Sequence, residues 1–271
     1  AEPFDLMTEY AQPLSAGALA AVLGLDGWGM DTMWQWCVDL CADIANFENE
    51  PGATARGERA KSELAAAIQQ RIDDVGDDDR SAINAFVRAG ATTEEIVNNV
   101  RLMISGGINE PRDGIGLVTW VLLDRPGIRA EVDEDPRLLR RLVEEVFRLH
   151  SPVGTVTRMA TSDTELAGVP IAAGELVSGV LRSVNLDERH WTDPTSIDLQ
   201  RSEGPHAAFA LGVHRCLGEW LGRQEVRVGV QRLFERFPDL ELPAGTEVEL
   251  RGFEFRGPTS LMVDPSGDTL G

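Results

Sequence analysis

Cysteine is scarce in this chain: three in 271 residues, Cys37, Cys41 and Cys216. An odd number with no closely spaced framework argues against a disulfide scaffold and fits a reducing, cytoplasmic compartment. Basic residues are also short, with 25 Lys and Arg against 45 Asp and Glu and a formal charge of -20. Nucleic-acid binding needs a basic face, so that class is set aside. The surplus acid reads as a solubilising, self-repelling surface. No run approaches the roughly 18 apolar residues that would span a bilayer, so no membrane partner is expected. The start, Ala1-Glu2-Pro3-Phe4-Asp5, has neither the basic nor the apolar region of a signal peptide. It also lacks an initiator Met, which leaves processing or truncation open. Internal repeats, low-complexity tracts and obvious linkers are missing too.

What is present suffices for one sizeable core, since 42% of the residues are hydrophobic. The first half reads as helices. Ser15 to Leu25 is rich in Ala and Leu, and Met30 to Phe47 repeats apolar residues at helical spacing through Met33, Trp36, Cys37, Leu40, Cys41 and Ile44. Cys37 and Cys41 lie one turn apart, but no second pair or nearby His completes a metal site, so they read as core. Glu50-Pro51-Gly52 breaks the chain, a polar helix follows from Thr54 to Val75, and Gly76 to Asp79 is an acidic turn. Thr92 with Glu95 has the form of a capping box and opens a long apolar helix toward Asp124. A further helix spans Pro136 to His150 and stops at Ser151-Pro152. Beyond it, Thr155 to Met159, Thr164 to Leu166 and Leu176 to Val180 read as small strands. Asp187 to Pro205 is irregular, Leu217 to Phe237 is a strong helix, and the tail alternates as short strands. The expected fold is one domain over 1–271, mostly α with small β elements.

The most informative stretch is Phe209-Ala210-Leu211-Gly212-Val213-His214-Arg215-Cys216-Leu217-Gly218. It places Cys216 where a helix begins, and the free N–H groups and dipole of a helix start favour an anion and lower a thiol pKa. Gly212 allows a sharp turn through positive φ. Gly218 lets a flat ligand lie close, Phe209 can pack beneath it, and His214 and Arg215 offer donors to carboxylates. A porphyrin held by a thiolate needs these properties, and the thiolate favours O–O cleavage.

With those residues in place, the sequence resembles the cytochrome P450 family. Phe-x-x-Gly-x-His-x-Cys-x-Gly at 209–218 is similar to that family's haem-binding loop, and the helix from Cys216 to Glu225 resembles the one that follows it. Glu145-Val146-Phe147-Arg148, ahead of Ser151-Pro152-Val153, resembles its Glu-x-x-Arg pair. Residues at i and i+3 share a helix face and can form an ion pair, whose implied role is to lock the core near the haem. The family adds an Arg as third partner; Ser196 stands where it is expected, and Arg201 is the candidate substitute. Arg158, followed by Asp163 to Gly168 and Ile171 to Gly174, matches the family's haem-propionate Arg, which suits bidentate binding of a carboxylate.

The resemblance makes the long helix the oxygen side. Gly106 and Gly107 lie inside it, although glycine costs about 1 kcal/mol relative to Ala in a helix. Close approach of a flat ligand would explain them. Pro111 should kink the helix and free carbonyls to hold water. The family commonly places an acid and then a Thr here. This chain has Asn109-Glu110, leaving Glu110 as the candidate proton relay.

The resemblance implies a heme b (iron protoporphyrin IX) cofactor with Cys216 as iron ligand, O2 and a small-molecule substrate, and a ferredoxin or similar electron donor. It implies a monooxygenase that inserts one oxygen atom into a small apolar molecule. Ile104 to Glu110, Pro152 to Val156 and Thr259 to Leu261 would line the pocket. Arg215, Arg223 and Arg227 would form a basic docking patch. The matched region begins with Phe4 to Leu25, similar to the family's fourth and fifth helices, so roughly the family's first third has no counterpart. One haem edge would then be exposed, and Trp34 and Trp36 would lack partners. Two other readings stay open: a peroxide-using or non-oxygenating haem-thiolate enzyme, and a non-catalytic fragment that acts as a binding module.

Overall fold

Proline and glycine set most of the element boundaries. In a computed structural model, residues 2–76 and 79–265 are described; part of the acidic turn expected at 76–79 therefore lies outside them. The helices are α1 (Gln12–Leu23), α2 (Met30–Ile44), α3 (Pro51–Asp73), α4 (Ala82–Arg88), α5 (Thr93–Gly107), α6 (Asn109–Asp124), α7 (Pro126–Glu134), α8 (Leu139–His150), α9 (Leu181–Asn185) and α10 (Glu219–Arg236). The strands are β1 (Phe4–Asp5), β2 (Thr155–Met159), β3 (Thr164–Leu166), β4 (Val169–Ile171), β5 (Leu176–Val180), β6 (Leu250–Arg251), β7 (Gly257–Pro258) and β8 (Met262–Val263).

Several expectations change. Phe4–Asp5 is a strand, paired Phe4 to Val263 with β8, so the chain does not open on a helix. The long helix from Thr92 is two helices broken at Ile108. The short helices α4 and α7 were not expected; Ser81 caps α4 by accepting from the Asn84 N–H at 3.2 Å, and Pro126 begins α7 where its missing N–H costs nothing. The Thr92 capping box is formed, with Thr92 Oγ1 accepting from the Glu95 N–H and Glu95 Oε2 accepting from the Thr92 N–H at 2.7 Å.

Two main cores result. One packs α1 to α5 through Leu19, Leu23, Met33, Trp36, Ile68 and Ile104. The other gathers α6, α8 and α10 through Ile115, Val118, Leu142, Val146, Val226 and Val230. Each such side chain contributes about 1.5–3 kcal/mol when fully buried. Trp36 is buried and Trp34 packs against the first core, so neither lacks partners, contrary to expectation. Gly114 brings α6 against α8 and α10: a Cβ there would lie 2.8 Å from both Phe147 and Val226. A smaller third cluster joins Leu6 and Met7 to Leu233, Leu261 and Val263. Ile104 and Leu261 are thus core residues, not pocket lining as expected. Antiparallel β2 and β5 run in register from Thr155–Val180 to Met159–Leu176 and carry the β3–β4 hairpin between them. No helix among the described residues is long and apolar enough to cross a membrane.

Candidate functional site

The site is built from α8 outward. Glu145 and Arg148 both lie on the buried face of α8, and Arg148 is only 1% exposed. Arg148 donates from Nε and Nη2 to the two Glu145 oxygens at 2.9 and 3.0 Å. Its Nη1 donates to the carbonyls of Asn185 and Pro194, and Nη2 also reaches the Ser196 carbonyl. Arg201 enters from the irregular segment and donates from Nε to both Glu145 oxygens at 3.0 and 2.9 Å. Ser196 contributes a backbone carbonyl, and Arg201 supplies the third charge. Burial alone would raise the Glu145 carboxyl. Donors from Arg148, the Asp198 N–H and Arg201 outweigh it and hold the group below the usual range.

One residue earlier, Glu144 points to the cysteine loop. Arg223 of α10 donates to Glu144 at 2.7 and 3.1 Å and to Glu219 at 2.7 Å. Arg215 joins Glu219 at 2.8 Å, and His206 lies 3.0 Å from Glu144. The Arg223 guanidinium sits 4.2 Å over Phe209, which meets Phe147 edge-on at 5.2 Å. Phe209 therefore packs under the loop on a charged platform. Burial pushes Glu144 up, but His206 and Arg223 pull it down to about 2. These contacts change two expectations. Arg215 is engaged by Glu219 and does not stand free beside the sulfur. The expected basic patch is neutralised at Arg215 and Arg223, leaving Arg227 held only by Gln224 and Gln231.

The loop presents Cys216 at the surface. Ala210 (φ 54°) and Gly212 (φ 68°) turn the backbone, which closes with the Cys216 N–H donating to the Phe209 carbonyl at 2.8 Å. The helix starts later than expected: Gly218 is the N-cap, so Cys216 lies outside α10. Partial burial raises the thiol pKa, with the nearby Glu110 and Glu219 charges adding to it, and the Gly218 N–H and Arg223 do not overcome this. The expectation of a lowered thiol pKa is therefore wrong for the unligated chain, because desolvation exceeds the helix-start effect. A Cβ at Gly212 would meet nothing, and one at Gly218 only the Cys216 sulfur at 3.9 Å. Around the thiol Val213 is 97%, Leu217 87% and Trp220 72% exposed. An exposed sulfur with three bare apolar residues close to it in the chain suits a broad, flat, apolar group. His214 and Arg158 are also exposed; among the described residues Arg158 donates to the Thr157 carbonyl and has no carboxylate partner. A bare thiol with exposed His214 and Arg158 donors is chemically compatible with a haem.

Within electrostatic reach of Cys216 is the helix break. Pro111 has no N–H to offer, the bonding resumes with the Arg112 N–H to the Ile108 carbonyl at 3.1 Å, and Ile108 between the two helices is stretched to φ -115°. Glu110 is adjacent. Its Oε2 is buried without a partner, and burial pushes the carboxyl up to about 8. Its charge acts on both Cys216 and Cys37, so these three groups share one region. The glycine pair divides: a Cβ on Gly107 would press on Leu19 at 3.1 Å, so helix packing accounts for it, whereas one on Gly106 would meet nothing. Asn109 and Thr259 line a cavity of about 420 Å³ between α2, α6 and the β7 segment. Sequence reading missed Glu144, Glu219 and His206, whose roles depend on contacts between distant segments.

A helical fold with a locked Glu-x-x-Arg pair, a surface cysteine loop and a broken helix within electrostatic reach of it has the features of a haem-thiolate class of protein. The family model for cytochrome P450 matches residues 119–265, over half of the chain, and the chain belongs to that family. It is 32% identical over 251 residues to cytochrome P450 FAS1 of Rhodococcoides fascians, covering 92% of this chain and 62% of that protein. It is 33% identical over 268 residues to nocardicin C N-oxygenase of Nocardia uniformis subsp. tsuyamanensis, covering 96% and 66% respectively. Among solved structures, P450BioI in complex with hexadec-9Z-enoic acid ligated acyl carrier protein matches with a TM-score of 0.86 and 27% identity, over 96% of this chain and 68% of that one. The chain spans about 62–66% of the length of these two curated relatives.

Proposed function

We propose that this chain carries the haem-thiolate site of a monooxygenase that inserts one oxygen atom from O2 into a small apolar organic molecule, in the cytoplasm, with electrons from a ferredoxin or similar donor. The observation that carries the reading is the exposed Cys216 thiol, set on the Phe209–Arg223–Glu144 platform and within electrostatic reach of the Glu110 helix break. Similarity to an N-oxygenase supports the reaction class. Heme b bound at Cys216 would supply the activation of O2 and the transfer of one oxygen atom. The rest falls to side chains of this chain. Cys216 would hold the iron, and its thiol would give up a proton on ligation. Arg158 and His214, both exposed, would hold carboxylates at the edge. Glu145, Arg148 and Arg201 keep the segment under the loop rigid. Glu110, held protonated by burial at neutral pH, can donate a proton at Oε2 to an acceptor beside it. Asn109 lines the adjoining cavity and orients what lies there.

The visible spectrum of the reduced, carbon monoxide-treated protein tests this reading. A strongly red-shifted Soret band that disappears in Cys216→Ala is expected; a band without the thiolate shift in the parent chain refutes it. One observation favours a second reading. A neutral buried acid stands where the family commonly has a Thr, which suits peroxide-driven turnover. Turnover with peroxide but not with a ferredoxin and its reductase would select it.

A further inference from the structure

The hollow beside Asn109 holds about 420 Å³ and is broadly open to solvent. Most of its wall is apolar: Trp34, Val38 and Ala42 of α2, with Phe255 and Pro258 across from them. The polar exceptions are Asn109, Thr259, the acid Asp113 and two cations. Arg112 and Arg251 both line it.

Arg112 is 9% exposed, so its charge is nearly out of water. A buried guanidinium is costly unless its donors are met. Here they are not all met. Nη1 donates to Asp113 Oδ1 at 2.6 Å, but Nε is buried with no acceptor. The guanidinium lies 5.0 Å over the Trp34 ring, which sets its plane. Asp113 is closely seated against Gly257, where any Cβ would overlap its carboxylate. The pair is therefore held with Nη1 committed to Asp113 and Nε covered by protein, which leaves Nη2 to donate to a carboxylate oxygen. Arg251 stands at the exposed rim and is paired with Glu249 at 2.8 Å, a contact that water and salt weaken. The acids nearby do not compete for a cation: Asp113 is taken by Arg112, and Glu110 is kept neutral by burial.

We infer that the molecule admitted to this cavity is an amphipathic anion, an apolar body with a terminal carboxylate gripped by Arg112 and assisted at the rim by Arg251. The apolar body lies along α2 and reaches Asn109. This rests on reading the cavity as the substrate pocket, and it narrows the proposed substrate class to carboxylic acids.

Calorimetric titration of the purified full chain with decanoate, decanol and decyltrimethylammonium, below their micelle concentrations, tests the inference. Decanoate is expected to bind at least about tenfold more tightly than decanol, a difference of roughly 1.4 kcal/mol, and the ammonium least. The double variant Arg112→Gln/Asp113→Asn keeps a neutral, hydrogen-bonding pair and should abolish the preference. Its thermal unfolding shows that it is folded. Arg251→Gln should weaken decanoate severalfold and leave decanol unchanged. Equal binding of decanoate and decanol, preference for the ammonium, retention of the preference in the double variant, or no binding of any probe at millimolar concentration would each overturn the inference. Calorimetry reads the preference whether or not haem is bound. A preference for decanoate without a thiolate spectrum would sink the haem reading alone; a thiolate spectrum without the preference would sink this one alone.

Discussion

Arg201 makes the sharpest demand on the reading of the α8 lock. Replacing it with Met removes two charge-assisted hydrogen bonds to Glu145 and the Nη1 bond to the Thr192 carbonyl at 2.7 Å. Glu145 keeps both bonds from Arg148 and the Asp198 N–H, and the Ser196 carbonyl keeps Arg148. Losing one partner of a buried ion pair costs about 3–5 kcal/mol, and the surviving Arg148 places Arg201→Met near about 3. Arg148→Met removes one donor from each Glu145 oxygen, leaves the Asn185 and Pro194 carbonyls without theirs, and belongs at the upper end. Arg215→Gln, at a half-exposed pair with Glu219, should cost under about 1 kcal/mol. Total stabilities are typically about 5–15 kcal/mol, so these differences are large. Urea unfolding followed by circular dichroism measures them as midpoint shifts at constant slope. Arg201→Lys restores the charge but not the planar fork and should recover less than half of the loss. If Arg201→Met loses no more than Arg215→Gln, Arg201 is not the third partner and the lock reading fails.

Glu110→Gln should flatten the pH dependence of stability. The Glu110 carboxyl is raised to about 8 by burial, so the stability it contributes is full below the ordinary carboxylate range and is lost as pH rises through 8. The variant should match the parent near pH 4 and exceed it near pH 9 in urea unfolding; parallel curves would contradict the burial argument. Glu144→Gln should remove stabilisation that is present above the ordinary carboxylate range and lost as pH falls toward about 2, and should lower haem retention while the circular dichroism stays unchanged. Unaltered haem content would show that the Arg223 platform does not hold the loop. Gly107→Ala should destabilise the chain by pressing on Leu19, whereas Gly106→Ala should raise its melting temperature slightly, by less than about 1 kcal/mol of stability. Equal effects of the two in thermal melts would refute the different packing assigned to them.

Some of this was legible in the sequence because the chemistry sits in short, contiguous patterns. The cysteine loop needs its turn and bare residues at set offsets, Glu145 and Arg148 share a face by helical spacing, and Pro111 marks the break by lacking an N–H. Other features depend on what packing brings together. Glu144, Glu219 and His206 read as ordinary surface charges until α8, α10 and the loop meet. The short helices α4 and α7 carry too few turns for a clear apolar period. The direction of the Cys216 shift depends on two residues of offset from the helix start, and on a Glu110 that is distant in sequence. Gly107 looks like a ligand contact along the chain but is a helix contact in space.

Ile108, where the long helix breaks, also lies on a seam. The helices before it bury one core, those after it another, and the cavity beside Asn109 takes a wall from each. The two walls are open to separate selection. Substitutions along α2 reshape one side of the cavity without passing through the Glu145 lock or the cysteine loop. A lineage built on this plan can change what it accepts while inheriting its metal side intact, and directed evolution of its ligand range belongs on Trp34, Val38 and Ala42 before any residue of α8 or α10.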